Sequence, residues 1–147
     1  MRDINLIVIH CSATKEGQDF DVDDIREWHM NGRNFKDIGY HFVIRLDGRI
    51  ERGRPWDVPG AHAKGYNNNS IGICYVGGLN SKGEPADTRT TAQMHALRTA
   101  VSMLQAQYPM IGLTGHRDLS TDLNGDGVIT ANEWMKSCPC FDVKTEL

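Results

Sequence analysis

Residues 114–142, TGHRDLSTDLNGDGVITANEWMKSCPCFD, decide how this chain is read, because two metal-binding patterns lie in them, one inside the other. In the inner one, residues 122–133, oxygen-bearing side chains stand at Asp122, Asn124 and Asp126, followed by Gly127, an apolar Ile129, Thr130 and finally Glu133. This is the ligand schedule of an EF-hand calcium loop. Calcium takes about 6–8 oxygens. Asp122, Asn124, Asp126, the Val128 carbonyl, Thr130 directly or through water, and both oxygens of Glu133 supply them, while Gly127 allows the sharp turn. Asp, Asn and Gly also build ordinary surface turns, but so many positions agree that Ca2+ is the favoured reading. The paired helices of an EF-hand are missing from the pattern. HRDLST ahead of the loop lacks helical periodicity and only a short segment follows, so a calcium ion here is expected as a structural clip. The outer pattern is His116 before the loop and Cys138 after it. Two ligands do not make a site, and the remaining donors have to come from elsewhere in the chain.

A chain of 147 residues suits one domain with a sizeable core. Sixteen basic against nineteen acidic residues leave a net charge of −3, which excludes a bulk basic field for nucleic acid or a membrane surface. The opening MRDINLIVIHCS is too short in its apolar run for a secretory signal, and no stretch approaches the ~18 apolar residues of a membrane span. Synthesis in a cytoplasm is therefore expected, with any target outside it reached by another route. Cys11, Cys74, Cys138 and Cys140 then read as thiols or metal ligands rather than as disulfides.

Residues 4–9, INLIVI, form a β-branched, almost continuously apolar run, as expected of a strand buried on both faces. It delivers His10, which taken alone reads first as a hydrogen-bonded core histidine and second as a zinc ligand. Asp21 caps a helix with an acidic first turn, whose inner face is Val22, Ile25, Trp28 and His29. Residues 38–44 read as a second strand with Tyr40 and His41 on opposite faces, turning at Asp47-Gly48 into Ile50-Glu51. Residues 60–70 are a polar, turn-rich loop of the kind that carries binding groups. Residues 71–76, IGICYV, read as an inner strand. Thr90 and Gln93 form a capping box for a helix reaching about Tyr108, with Met94, Leu97, Val101 and Leu104 as its core stripe. Residues 111–113 are a last short strand that delivers His116 much as the first delivers His10.

The series VIHCSAT, DIGYHFVI with a following DGR, HAKGYNNNSIGICYVGG, TTAQMHAL, TGHRD and KSCPCFD resembles the zinc-dependent N-acetylmuramoyl-L-alanine amidase family, type 2, and within it the small phage lysozymes of amidase type. The motifs follow in the family's order from the first strand to CPCFD. The resemblance implies the fold that the family shares with peptidoglycan recognition proteins: one α/β domain over residues 1–147, a central mixed β-sheet flanked by helices, and Zn2+ at the base of an open groove. It implies zinc ligation by His10, His116 and Cys138. Cys138 is taken before Cys140 because the family motif reads Cys-Pro-x-Phe-Asp. It further implies catalytic roles for Tyr40 and Lys136, and a groove lined by His62, Ala63 and Asn69. Two imidazoles and a thiolate leave a tetrahedral zinc one open position, the arrangement of a catalytic site. The implied reaction is hydrolysis of the amide joining the lactyl group of N-acetylmuramic acid to L-alanine in peptidoglycan.

One departure stands out. Short phage members join the second histidine to the cysteine by a brief loop, whereas here residues 122–133 intervene, and a shifted register would make Cys140 the ligand. Two other classes compete with a phage or prophage endolysin that acts on the wall after release as a monomer. A pure recognition module would need no cysteine ligand, Tyr40 or Lys136. An amidase recycling anhydromuropeptides in the cytoplasm would usually carry Asp at the place of Cys138. Some phage amidases of this type also bind a polymerase, and nothing in this sequence decides that point.

Overall fold

The computed structural model describes residues 2–147. In chain order the elements are β1 (Leu6–Cys11), β2 (Thr14–Lys15), α1 (Val22–Gly32), β3 (Phe42–Ile44), β4 (Ile50–Arg52), β5 (Ser70–Tyr75), β6 (Gly78–Leu79), α2 (Thr91–Gln107), β7 (Gly112–Gly115) and α3 (Val143–Glu146). Short 3-10 turns lie at Asn67–Asn69, His116–Leu119 and Ala131–Glu133.

The apolar run that opens the chain becomes the sheet's second-innermost strand. The order is β4-β3-β5-β1-β7. β1 pairs in parallel with β5 and β7, β3 pairs in parallel with β5, and only the β3–β4 hairpin is antiparallel. The sheet is therefore mixed, as expected. β2 and β6 form a separate two-stranded parallel ladder.

The two-residue period of a strand divides β1 and β5 between two chemistries. Ile7, Ile9 and Cys11 from β1, with Ile71, Ile73 and Tyr75 from β5, join one core with Leu97, Val101 and Leu104 of α2 and with Phe141 and Val143 beyond the loop. The intervening residues face the other way: His10 on β1 stands beside Cys74 on β5, and Val8 beside Gly72. A second, smaller core of Ile25, Ile38, Val43 and Val76 anchors α1.

Both long helices begin as their sequences dictate. Asp21 and Asp24 make a reciprocal capping box for α1, and Thr90 and Gln93 one for α2. Gln93 is also wholly buried, and its amide donates to the carbonyls of Ile44 and Val76. The inward face of α2 is thus Gln93, Ala96, Leu97, Ala100, Val101 and Leu104, with Met94 half-buried at its edge. On α1, Ile25 and His29 are buried, but Trp28 is exposed and packs edge-on against Phe20 at 4.8 Å between ring centroids. Ile25 and His29 fill the inward side of the helix, and Trp28 covers Phe20 at the surface instead.

The second strand is shorter than its apolar run. Its regular part is Phe42–Ile44. His41 N–H still reaches the Gly72 carbonyl of β5 at 2.9 Å, and the carbonyls of His41 and Tyr40 accept from Gly53 and Arg54. At Gly39 the backbone bonds go elsewhere: its N–H donates to His29 Nδ1 at 2.8 Å, and its carbonyl accepts from Ala61 N–H at 3.0 Å. Gly39 has to be glycine, since a Cβ there would lie 2.2 Å from the Ala61 oxygen. Tyr40 and His41 diverge as their alternation requires. His41 is buried, and its Nδ1 accepts Gly72 N–H at 3.0 Å. The ring proton must then sit on Nε2, which donates to the Val58 carbonyl at 2.8 Å. Arg2 Nη2, 3.1 Å from the same Nε2, finds no lone pair there and donates instead to the Trp56 carbonyl, while Nη1 donates to that of Ser70.

His29 and His41 both accept backbone N–H bonds that only a neutral ring can accept, and burial lowers both pKa values from 6.5 to about 4. The unfolded chain takes up these protons first. Stability is therefore complete above about pH 6.5 and lost progressively as pH falls through the folded value near 4, with His41 alone contributing on the order of 2–3 kcal/mol. Urea midpoints recorded at steps from pH 7 to pH 4 should fall across this window. A flat profile would contradict the assignment.

Candidate active site

The sheet delivers its catalytic candidates at the carboxyl ends of two neighbouring parallel strands. β1 ends in His10-Cys11, and β7 runs directly into the 3-10 turn that carries His116. The two imidazoles lie 4.6 Å apart between ring centroids. Cys138 arrives from the far side of the 122–133 loop. Its place is fixed on three sides: Cys11 N–H donates to its Sγ at 3.1 Å, its carbonyl accepts Arg117 N–H at 2.8 Å, and the buried Tyr75 hydroxyl donates to the Pro139 carbonyl at 2.6 Å. The Cys138–Pro139 peptide is cis. One ligand atom from each of His10, His116 and Cys138 falls within 4.8 Å of the others. Cys140 turns away, and its Sγ donates to the Gly78 carbonyl at 3.4 Å. All four cysteines are free.

Electrostatics keep the imidazoles in the form that a metal needs. Burial, followed by the neighbouring imidazoles and the Lys136 ammonium, holds His10 well below its ordinary pKa of 6.5. Burial and then Lys136 lower His116 in the same direction. Both rings are neutral at pH 7.

Tyr40 leans over the pair, its ring centroid 5.0 Å from that of His10. Burial, and then the thiols of Cys74, Cys138 and Cys11, push its pKa well above 10, so the phenol keeps its proton. Lys136 is exposed at the mouth. The structure thus gathers His10, His116, Cys138, Tyr40 and Lys136 around one cleft of about 570 Å³.

The residues from the polar loop are sorted differently. His62 and Ala63 line the cleft, and both of their N–H groups are taken by Asn67 Oδ1 at 2.9 Å. Asn69 is exposed outside it, its amide donating to the Asp3 carbonyl at 3.1 Å. In a run of three asparagines followed by a strand, a 3-10 turn at Asn67–Asn69 decides which one faces inward, and composition carries no trace of that choice. The cleft walls also bring together Arg33, Lys64, Arg117 and Lys136, with no carboxylate lining them among the described residues. These four cations come from four separate segments of an acidic chain, so net charge hid them.

The loop at 122–133 is folded around its own acidic groups. Carboxylate oxygens of Asp122, Asp126 and Glu133 lie within 4.8 Å of one another. Asp122 accepts from Gly125 and Gly127 N–H, Asn124 from Asp126 N–H, and Glu133 from Thr130 N–H. Val128 is exposed, as is Thr130, whose hydroxyl donates to Glu133. The loop follows the 3-10 turn at His116–Leu119 and closes in the one at Ala131–Glu133, its own last residues, in place of the paired helices of an EF-hand.

With this geometry in view, the comparisons with known proteins agree with one another. The family model described as N-acetylmuramoyl-L-alanine amidase matches residues 1–140, and the chain belongs to that family of peptidoglycan hydrolases. The endolysin of Klebsiella phage KP32 is 44% identical over 138 residues, which is 94% of this chain and 82% of the relative. Among solved structures, the N-acetylmuramoyl-L-alanine amidase LysC of Clostridium intestinale is 29% identical with a TM-score of 0.73, over 99% of this chain and 82% of that one. Bumblebee PGRP-SA, 24% identical, is alike in fold, with a TM-score of 0.74 over 99% of this chain and 81% of its own.

The positions of the two thiols make a direct prediction. Cys138→Ser should abolish stoichiometric zinc binding in a metal titration, while Cys140→Ser should retain it. The reverse result would move the ligand to Cys140.

Proposed function

We propose that this chain is a phage-type endolysin in which His10, His116 and Cys138 hold a zinc ion and Tyr40 and Lys136 assist the cleavage of the lactyl–L-alanine amide. The single observation that carries the reading is the convergence of two neutral imidazoles and one thiol within 4.8 Å at the floor of an open cleft. Nitrogen and sulfur donors in this ratio suit zinc, and three protein ligands leave its fourth position open. Bound there, zinc would acidify a water molecule and polarise the scissile carbonyl.

The remaining work falls to the chain itself. Cys11 N–H and the buried Tyr75 hydroxyl hold the Cys138-Pro139 segment in place. Tyr40, protonated and next to His10, donates a hydrogen bond to the carbonyl oxygen as negative charge develops on it. The Lys136 ammonium adds a second favourable charge from the rim. Arg33, Lys64 and Arg117 make the cleft attractive to an anion, which suits a stem peptide bearing free carboxylates.

Residues 122–133 act as a calcium clip in this reading, with Asp122, Asn124, Asp126, the Val128 carbonyl, Thr130 and Glu133 as ligands. What the clip would hold is visible at its two ends. The Arg117 guanidinium, next to His116, lies 3.9 Å over the Trp134 ring, and Met135 N–H donates to Ser120 Oγ at 3.1 Å. An ordered loop thereby sets where Lys136 and Cys138 begin. As a phage-type endolysin the chain would reach the wall through a membrane-permeabilising partner.

Mass spectrometry of purified peptidoglycan digested by the zinc-loaded protein should show free stem peptides beginning with L-alanine, and His116→Ala should release none. Tight binding to intact glycan-peptide without release would instead make the chain a recognition module. Chelation that removes calcium and spares zinc should lower the melting temperature or the rate of digestion. If neither moves, residues 122–133 are an ordinary acidic turn.

A further inference from the structure

We infer that His62 is a positioning residue for the metal ligand His10 and makes no polar contact with substrate. The inference rests on the zinc reading given above. It arises from the two ends of the His10 ring. Nδ1 faces Cys138 Sγ at 4.0 Å, too long for a hydrogen bond with good geometry but across the space where the three ligand atoms converge. Nε2 lies 2.8 Å from His62 Nδ1, and His62 Nε2 lies 3.2 Å from the hydroxyl of Ser70, which is wholly buried.

The protons on this chain can be placed by elimination. A metal takes the lone pair of His10 Nδ1, so the neutral ring carries its proton on Nε2 and donates it to His62 Nδ1. His62 then keeps its own proton on Nε2 and donates it to Ser70. Both ring nitrogens of His62 are spent, and none is left for a peptide or a sugar. Metal-ligating histidines commonly donate the second ring N–H to a partner that fixes tautomer and orientation; here that partner is another imidazole.

The backbone around His62 is cut to hold the ring. A Cβ on Gly72 would lie 2.6 Å from His62 Cγ, and one on Gly60 would lie 2.7 Å from its Cδ2. Gly72 faces the cleft side of β5 beside Val8, one pair before His10 and Cys74, so the missing side chain in the sheet is the slot that the imidazole fills. The ring stands edge-on to His10, with centroids 4.9 Å apart and an interplanar angle of 87°. From behind, Asn67 Oδ1 accepts the His62 N–H at 2.9 Å. His62, assigned to groove lining by resemblance, thus forms a bracket for a ligand.

The test uses variants that divide the two ends of the ring. Asn places its carbonyl oxygen where Nδ1 of His stands and keeps an acceptor for His10. Gln reaches only toward the Nε2 position and keeps the bond to Ser70. Zinc dissociation constants of the full-length protein would be measured by competition with a chromophoric chelator, and cobalt-loaded forms compared by their visible spectra. His62→Ala and His62→Gln should bind zinc about 10–100-fold more weakly, the range seen when such a partner is removed, while His62→Asn should stay near the wild type with an unaltered cobalt spectrum. The melting temperatures of metal-free His62→Asn and His62→Gln should match, so that any difference in affinity reads the acceptor and not the fold. Equal zinc affinity for the Asn and Gln variants, or wild-type affinity for His62→Ala, would overturn the inference. A wild-type protein that bound no zinc at all would instead remove the metal reading on which it stands.

Discussion

Everything in this molecule depends on β1 lying between two parallel partners and keeping its two-residue period to the last position. Ile7, Ile9 and Cys11 are committed to the apolar core under α2, so His10 has no choice of face. A slip of one residue would place Cys11 in the cleft and bury the imidazole against Leu97 and Val101. The register with β5 and β7 prevents this, since His10 is matched to Cys74 and Ile9 to Gly115 across consecutive strands. The same pairing brings the end of β7 alongside the end of β1, and two histidines that are 106 positions apart come to adjoin without either being steered by its own neighbours in sequence.

That order of causes explains what could be read beforehand. The strands, the caps at Asp21 and Thr90, and the meeting of His10, His116 and Cys138 were legible because each depends on a periodicity or a motif that survives in one dimension. Trp28 was placed inward by helical spacing, but an amphipathic pattern shows only that a face exists, not which of its residues the fold covers. Asn69 and Asn67 cannot be told apart in NNN without the 3-10 turn that rotates one toward His62. The cationic lining is the strongest case: Arg33, Lys64, Arg117 and Lys136 are ordinary surface residues until the fold places them on one cleft.

The site also has two electrostatic requirements to meet at once. Metal ligation and backbone acceptance both demand neutral imidazoles, and burial provides them by lowering the pKa of His10, His29, His41 and His62. Stabilising a developing negative charge demands cations close by, and Lys136 is one. These demands agree in sign. An ammonium near an imidazole disfavours its protonation, so the group that would assist the reaction also helps keep His10 and His116 ready to bind metal. The shared cost appears at low pH, where every one of these rings is drawn toward the unfolded state.

The loop at 122–133 adds a length of chain at the least forgiving point of such a design, between a histidine and the cysteine that must meet it. An insertion there would be expected to loosen Cys138. Instead the segment beyond it is tied back independently of the loop. Tyr75, rooted in β5, donates to the Pro139 carbonyl, Cys11 N–H reaches Cys138 Sγ, and Phe141 and Val143 enter the main core. The Arg89 guanidinium lies 3.4 Å over the Phe141 ring and adds a further hold. With both ends of the excursion fixed to the sheet, the added residues cost mainly loop-closure entropy, which grows only slowly with length. Cys138 is therefore held from β1 and β5 as well as from the loop, whereas among the described residues Trp134 and Met135 are tied to the turn that carries Arg117 and Ser120.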